Sequence, residues 1–255
     1  MPDDIKQILE AHVAQYNRPY FIENDPISIP HQFSKPQDIE IMGFWAAMLA
    51  WGQRKTIINK ARELAQLMDG APHDFIVNHR EKDRQRFAHF KHRTFQYTDT
   101  LYFLSFLQHF YQKHASLELA FTKFLRPDAP HIGDALVGFH ELFFSLPYAP
   151  QRTRKHIATP ARNSRCKRLN MFLRWMVRKD DQGVDFGLWT NIHPRQLLMP
   201  LDVHVERVAR RLRLLERKQC DWKAVLELTG RLRAFDPEDP VKYDFALFGM
   251  GVLEK

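Results

Sequence analysis

Cysteine is nearly absent from this chain. Two occur in 255 residues, Cys166 and Cys220, far apart and in no Cys-x-x-Cys pair. That excludes a disulfide framework, a zinc ribbon and a four-cysteine iron–sulfur cluster, and it predicts reduced thiols in a cytoplasmic protein. Glycine is scarce at 10 residues, so few turns need positive φ, which favours long helices over a turn-rich β fold. No run of ~20 apolar residues exists to span a membrane. Met1-Pro2-Asp3-Asp4 is acidic and no apolar segment of a secretory signal follows. Internal repeats, low-complexity tracts and a convincing strand pair are also lacking.

Aromatic residues and positive charge are abundant. With 20 Phe, 5 Trp and 7 Tyr the chain is expected to bury a substantial core and not to be disordered. The net charge is +8, which favours phosphate-rich partners. Much of the excess lies near residues 162–179 and 207–218, including Arg165, Arg168, Arg174, Arg178, Arg207, Arg210 and Arg217.

Helical spacing of apolar residues dominates. Helices are predicted over 4–16, from an Asp38 cap through Leu49, after the Gly52–Lys55 interruption with Ile57, Ile58, Ala61, Leu64, Ala65 and Leu67 to near Gly70, and over 97–112, 115–125 and 132–146. Residues 19–36 read as a Pro-punctuated loop. Pro147 to Pro160 reads as a long polar connection, mobile or ligand-contacting. Further helices are expected from Lys167 to Arg178, over 194–198, from Asp202 through Leu212, over 222–233, and from an Asp239 cap through Phe248. The fold class is all-α, and residues 1–255 are expected to form one structural unit of two interleaved lobes.

Two helix starts carry the chemistry. In Ser164-Arg165-Cys166-Lys167-Arg168-Leu169-Asn170 a lysine opens a helix. The helix dipole and the flanking arginines both disfavour its ammonium and favour the nucleophilic amine. Lowering a lysine from ~10.4 to the ~7–8 useful in catalysis requires about 4 kcal/mol from the site. The alternative is a solvated lysine gripping phosphate among arginines. In Pro200-Leu201-Asp202-Val203-His204 an aspartate precedes an apolar-faced helix, the position of an N-cap. A cap and a catalytic carboxylate are compatible, because backbone N–H groups keep such a carboxylate ionised and fixed. Asp202 and His204 are wrongly spaced to share a helix face. Although His131 and Asp134 are correctly spaced, no matching cluster supports a metal site, and no metal or other cofactor is expected. Gln53, Arg54 and Lys55 interrupt two apolar helices, either as an ordinary turn or as a polar tip able to enter a nucleic-acid groove.

These residues resemble a family. Gly43-Phe44-Trp45-Ala46-Ala47-Met48-Leu49-Ala50-Trp51-Gly52-Gln53 is similar to the early helix pair of the helix-hairpin-helix DNA glycosylases, the superfamily of endonuclease III and the 8-oxoguanine glycosylases. The Lys167 segment resembles the one bearing their catalytic lysine. Pro200 to Leu212 resembles their helix bearing the catalytic aspartate, and Asp244-Phe245-Ala246-Leu247-Phe248-Gly249 their late helix. The resemblance implies a two-lobed helical fold with a DNA cleft between the lobes and a flipped base. It implies attack by Lys167 on C1′ to give a Schiff base, with Asp202 stabilising the oxocarbenium-like state. Arg165, Arg168, Arg207, Gln53, Arg54 and Lys55 become the expected contacts to nucleic acid, with double-stranded DNA the expected partner. The glycine-rich hairpin of that superfamily is replaced by His156 to Ser164, which has no glycine, and its iron–sulfur cysteines are missing. Nearly the whole chain resembles an uncharacterised bacterial family of the DUF2400 type. This is carried by the Asp38-Ile39-Glu40 helix start, by Lys167 through Arg178 and by Asp236 through Leu247. The sequence therefore predicts a DNA N-glycosylase or abasic-site lyase. A non-catalytic helical DNA- or RNA-binding protein is the rival reading, and a metal phosphohydrolase is a third.

Overall fold

The computed structural model of the protein describes residues 2–253; Met1, at the head of the acidic start, lies outside them. Its α-helices are α1 (Pro2–Tyr16), α2 (Tyr20–Glu23), α3 (Pro36–Met48), α4 (Arg54–Leu67), α5 (Pro72–Asn78), α6 (Tyr97–Tyr111), α7 (Leu119–Thr122), α8 (Gly133–Phe143), α9 (Lys167–Val177), α10 (Val203–Arg211), α11 (Trp222–Arg233) and α12 (Tyr243–Leu253). Among the described residues the nearest approach to a sheet is one isolated bridge between His92 and Phe95. The chain is all-α. No described helix is long and apolar enough to cross a membrane.

The chain divides into two compact units, each assembled from separated stretches. One comprises Asn24–Phe124 with Gly138–Ile157. The other takes the segment up to Glu23, Leu125–Val137, and everything from Ala158 on.

The Asn24–Phe124 unit is built on rings. Phe44 and Trp45 of α3 meet Phe103 of α6 at 5.7 and 5.0 Å, and Phe143 of α8 lies 4.8 Å from Phe103. All four are fully buried. Helix α3 opens on Pro36, where a missing N–H costs nothing. The expected cap, Asp38, instead lies inside the first turn and accepts from the backbone N–H of His73 at 2.7 Å. Glu40 is buried and accepts from Tyr111 Oη at 2.7 Å and Leu117 N at 2.9 Å. Burial and this carboxylate push the Tyr111 phenol well above its usual value.

The Pro147–Pro160 connection is anchored rather than loose. Its Gln151–His156 turn buries Thr153 and His156, and Thr153 Oγ1 donates to Asp99 Oδ1 at 2.7 Å. Arg152 pairs with the same carboxylate, and Asp99 Oδ2 accepts from Gln96 N at 2.8 Å at the start of α6. Burial alone raises the Asp99 carboxyl. His156, Thr153 and the Gln96 amide overcome it and hold the group at about 2, against 3.8. A depressed carboxyl contributes stability above its unfolded value and loses it as pH falls through the folded one. Asp99→Asn is therefore expected to cost about 2 kcal/mol at pH 7, with the deficit fading between pH 4 and 2 in urea titrations. An undiminished deficit at pH 2 contradicts the ionic account.

In the unit containing α9 to α12, α12 packs against α1 and α10. Gly251 is needed there. A Cβ on it would lie 2.9 Å from the His204 carbonyl oxygen and 3.1 Å from its carbon, backbone atoms that have little freedom to retreat. The Gly251 carbonyl accepts from His204 Nδ1 at 3.2 Å and from the Arg207 guanidinium, fastening α10 to the end of α12.

Candidate functional site

Lys167 is the first residue of α9. It follows Cys166, which takes a left-handed backbone at φ 48°. Ser164 and Asn170 organise this entry: Ser164 Oγ accepts from Cys166 N at 3.3 Å, and Asn170 Nδ2 donates to Arg165 O at 3.3 Å. Lys167 is half-buried. Burial pushes the neighbouring Cys166 thiol up to about 12, so it is no nucleophile at neutral pH. Burial also lowers the Arg168 guanidinium to about 10.

Asp202 caps α10 as the sequence suggested. Its Oδ1 accepts from His204 N at 2.8 Å and Val205 N at 2.9 Å. Both bonds fall on one oxygen, and no donor to Oδ2 occurs among the described residues. A charged acceptor at a helix N-terminus is favoured by the dipole as well as by the bonds.

A third ionisable group joins these two. Asp244, in the first turn of α12, is buried and paired with Arg174 of α9. Burial pushes its carboxyl up to about 6. Arg174 opposes the rise, the Asp202 charge adds to it, and the Lys167 charge opposes it. Lys167, Asp202 and Asp244, on α9, α10 and α12, thus share one electrostatic neighbourhood. Sequence reasoning treated Asp244 only as part of a late-helix motif. The available signal was a carboxylate directly before the apolar run Phe245-Ala246-Leu247-Phe248.

Behind this trio stands a buried ionic lattice. Arg174 Nε donates to Asp185 Oδ1 at 3.2 Å, Arg178 Nη1 to Asp185 Oδ2 at 3.3 Å, and Arg178 Nε to Asp239 Oδ2 at 2.8 Å. Both guanidinium groups lie over the Phe245 ring, at 4.4 and 5.3 Å from its centroid. Burial works against the Arg178 cation, but Asp239, Asp185 and Asp180 raise its pKa overall. Two arginines counted in the basic excess are therefore internal, and Asp239 holds the expected N-cap position before Pro240 but makes no capping bond with its side chain, which faces Arg178.

Other cations of this unit are engaged at its surface. Arg165 donates to Cys220 Sγ at 3.0 Å and lies 3.9 Å from Glu206, and Arg210 pairs with Glu206 at 2.9 Å. Arg207 bonds the Gly251 carbonyl but remains exposed. Gln53, Arg54 and Lys55 belong to the other unit. There Gln53 precedes α4, Gly52 before it takes φ 105°, and Gln53 and Lys55 are exposed. His131 Nδ1 accepts from Gly133 N at 3.1 Å within its own turn. Among the described residues no group of three or more His, Cys, Asp or Glu converges to hold a metal ion.

The class these features define is an all-helical protein with a lysine and an aspartate at two helix starts beside a buried carboxyl. Over residues 25–253 the chain matches the family DUF2400, described as "Protein of unknown function", and it belongs to that family. No curated protein and no solved structure matches it.

Proposed function

We propose that the chain is a DNA-repair-type glycosylase or abasic-site lyase that uses Lys167 and Asp202. The observation that carries this reading is that both residues, at separate helix starts, act electrostatically on the same buried Asp244. In the proposed reaction a damaged base is flipped from the duplex at a cost of a few kcal/mol. The Lys167 amine attacks C1′, and the base leaves with the electron pair of the glycosidic bond. Loss of the amine proton and opening of the sugar ring give the imine. The ionised Asp202 stabilises the cationic sugar as the bond breaks. In the His156–Ser164 segment Asn163 takes a left-handed backbone at φ 55°, and Cys166, two residues beyond it, does so at φ 48°.

Borohydride trapping on a duplex with a single abasic site tests the proposal, since such a site bypasses the unknown base preference. A covalent adduct with the wild-type chain supports it. No adduct, together with salt-sensitive binding, favours the non-catalytic nucleic-acid binder, a reading consistent with the capping role of Asp202.

Capping and chemistry are separable. Asp202→Asn keeps a cap acceptor and removes the charge, whereas Asp202→Ala removes both and is expected to cost about 1 kcal/mol of stability. Both variants are expected to lose at least tenfold in the rate of base release from a damaged duplex, and only the alanine to melt earlier. Full base release by Asp202→Asn assigns Asp202 to capping alone.

A further inference from the structure

The Asn24–Phe124 unit contains a composite surface that the Gln53–Lys55 motif only partly announces. His92 N donates to Phe95 O at 2.9 Å and Phe95 N to His92 O at 2.8 Å, which closes a tight turn with Arg93 and Thr94 at its tip. This turn is pinned to the residues just before α4. His92 Nε2 lies 3.1 Å from Trp51 O, and the His92 ring meets the Trp51 ring edge-on at 4.8 Å. Burial lowers the His92 pKa, which fits a neutral imidazole donating to that carbonyl. His156 stacks on Trp51 at 5.7 Å. The two turns are therefore held together by aromatic contacts of the half-buried Trp51, while Gly52, Gln53, Lys55, Arg93 and Thr94 remain exposed.

Arg93 stands over Gly52. A Cβ at residue 52 would lie 2.9 Å from Arg93 Nη1 and 3.2 Å from its Cδ. Gly52 at φ 105° and Arg93 at φ 53° both take backbone conformations that L side chains adopt rarely. The absence of a side chain at 52 is what lets the guanidinium lie against the start of α4.

Next to the two turns the charge is of one sign, while Lys60 and Arg86 are paired with Glu63 at 2.6 Å and Asp69 at 2.8 Å. Residues 50–62 contain Arg54, Lys55, Lys60 and Arg62 and no carboxylate; residues 84–98 contain Arg84, Arg86, Lys91 and Arg93 and again none. The adjoining Asp99 is fully buried and committed to Arg152, Thr153 and Gln96 N.

We propose that the 51–55 and 92–95 turns form one anion-binding tip, on which Arg93, seated over Gly52, grips a phosphate of duplex DNA beside Arg54 and Lys55. The proposal rests on the nucleic-acid reading above and adds a contact residue and a partner surface to it. A guanidinium suits this task because its fork of donors matches phosphate oxygens.

The test is fluorescence anisotropy of a labelled DNA duplex with the full chain over a salt series. It compares wild type with Arg93→Ala, Arg93→Lys and the control Lys113→Ala, an exposed cation of the same unit. Replacing Arg93 by alanine keeps a Cβ at the left-handed position, so the backbone cost is nearly unchanged, and thermal melting checks the fold. Arg93→Ala is expected to weaken binding about fivefold and to reduce the salt slope by about one. Arg93→Lys is expected to keep most of the slope, and Lys113→Ala to match wild type. Salt-dependent wild-type binding with Arg93→Ala superimposed on it overturns the tip and leaves the nucleic-acid reading standing. Absence of wild-type binding at low salt overturns both.

Discussion

Lys167→Ala is expected to leave no borohydride-stable adduct on a duplex carrying one abasic site, under conditions where the wild-type chain forms one. The adduct requires a primary amine that condenses with the sugar aldehyde, losing water, before hydride from borohydride reduces the imine. Alanine offers no such amine. Lys167→Arg is the sharper control: it keeps the positive charge but forms no comparable imine, and it is expected to be equally inert. Binding should stay within about threefold, because a single phosphate contact is worth little against the remaining basic surface. Stability should stay within about 0.5 kcal/mol, because a cation at a helix N-terminus opposes the dipole. Trapping by Lys167→Ala at the wild-type level sinks the assignment of the nucleophile.

Arg174→Met is expected to have the largest effect on stability. The methionine fills much of the arginine's volume but leaves Asp185 and Asp244 without the cation between them. Breaking a buried ion pair from one side costs about 3–5 kcal/mol, a large share of a typical folding free energy of about 5–15 kcal/mol. The loss should depend on pH in a definite direction. Asp244 is pushed up to about 6 from 3.8 even with Arg174 present, and Asp185 is raised as well, burial being the first cause in both. A carboxyl with a raised folded value binds its proton more tightly when folded. Its contribution is fully present below the unfolded value and is lost as pH rises through the folded one. The variant should therefore be furthest from wild type at pH 7 and closer at pH 5, as both carboxyls take up protons. Urea midpoints at the two pH values measure this. A deficit that stays constant with pH, or no deficit, contradicts the ionic lattice.

Much of the helical framework was legible because apolar periodicity survives burial: α1, α4, α6, α9, α10 and α11 lie close to where the spacing put them. Helix α5 was missed, being only Pro72–Asn78, and the expected helix over 115–125 shrinks to Leu119–Thr122. The Pro-punctuated stretch 19–36 contains α2 and two 3-10 turns, because proline suits the first position of such turns. Asp202 announced its cap through local sequence, and the structure adds the two bonds that make it one. Charged residues were the hardest to place. Arg174 and Arg178 look like surface cations from the sequence, yet both are internal because Asp185, Asp239 and Asp244 meet them there. The partners of Asp244 and Arg93 were hidden for the same reason. The partners that give them meaning, Arg174 and Gly52, are distant in sequence, and no local pattern encodes such a meeting.

The packing of α1 on α12 has a consequence for the order of assembly. The Tyr243 hydroxyl donates to Glu10 at 2.6 Å, joining residues 233 positions apart. At a translation rate of about 5–20 residues per second, the early helix waits roughly 10–50 s for its partner to be synthesised. The Asn24–Phe124 stretch is complete long before that. On the ribosome, the lysine-bearing unit then closes after the Asn24–Phe124 stretch has been made, and α1 is open to chaperones throughout that interval.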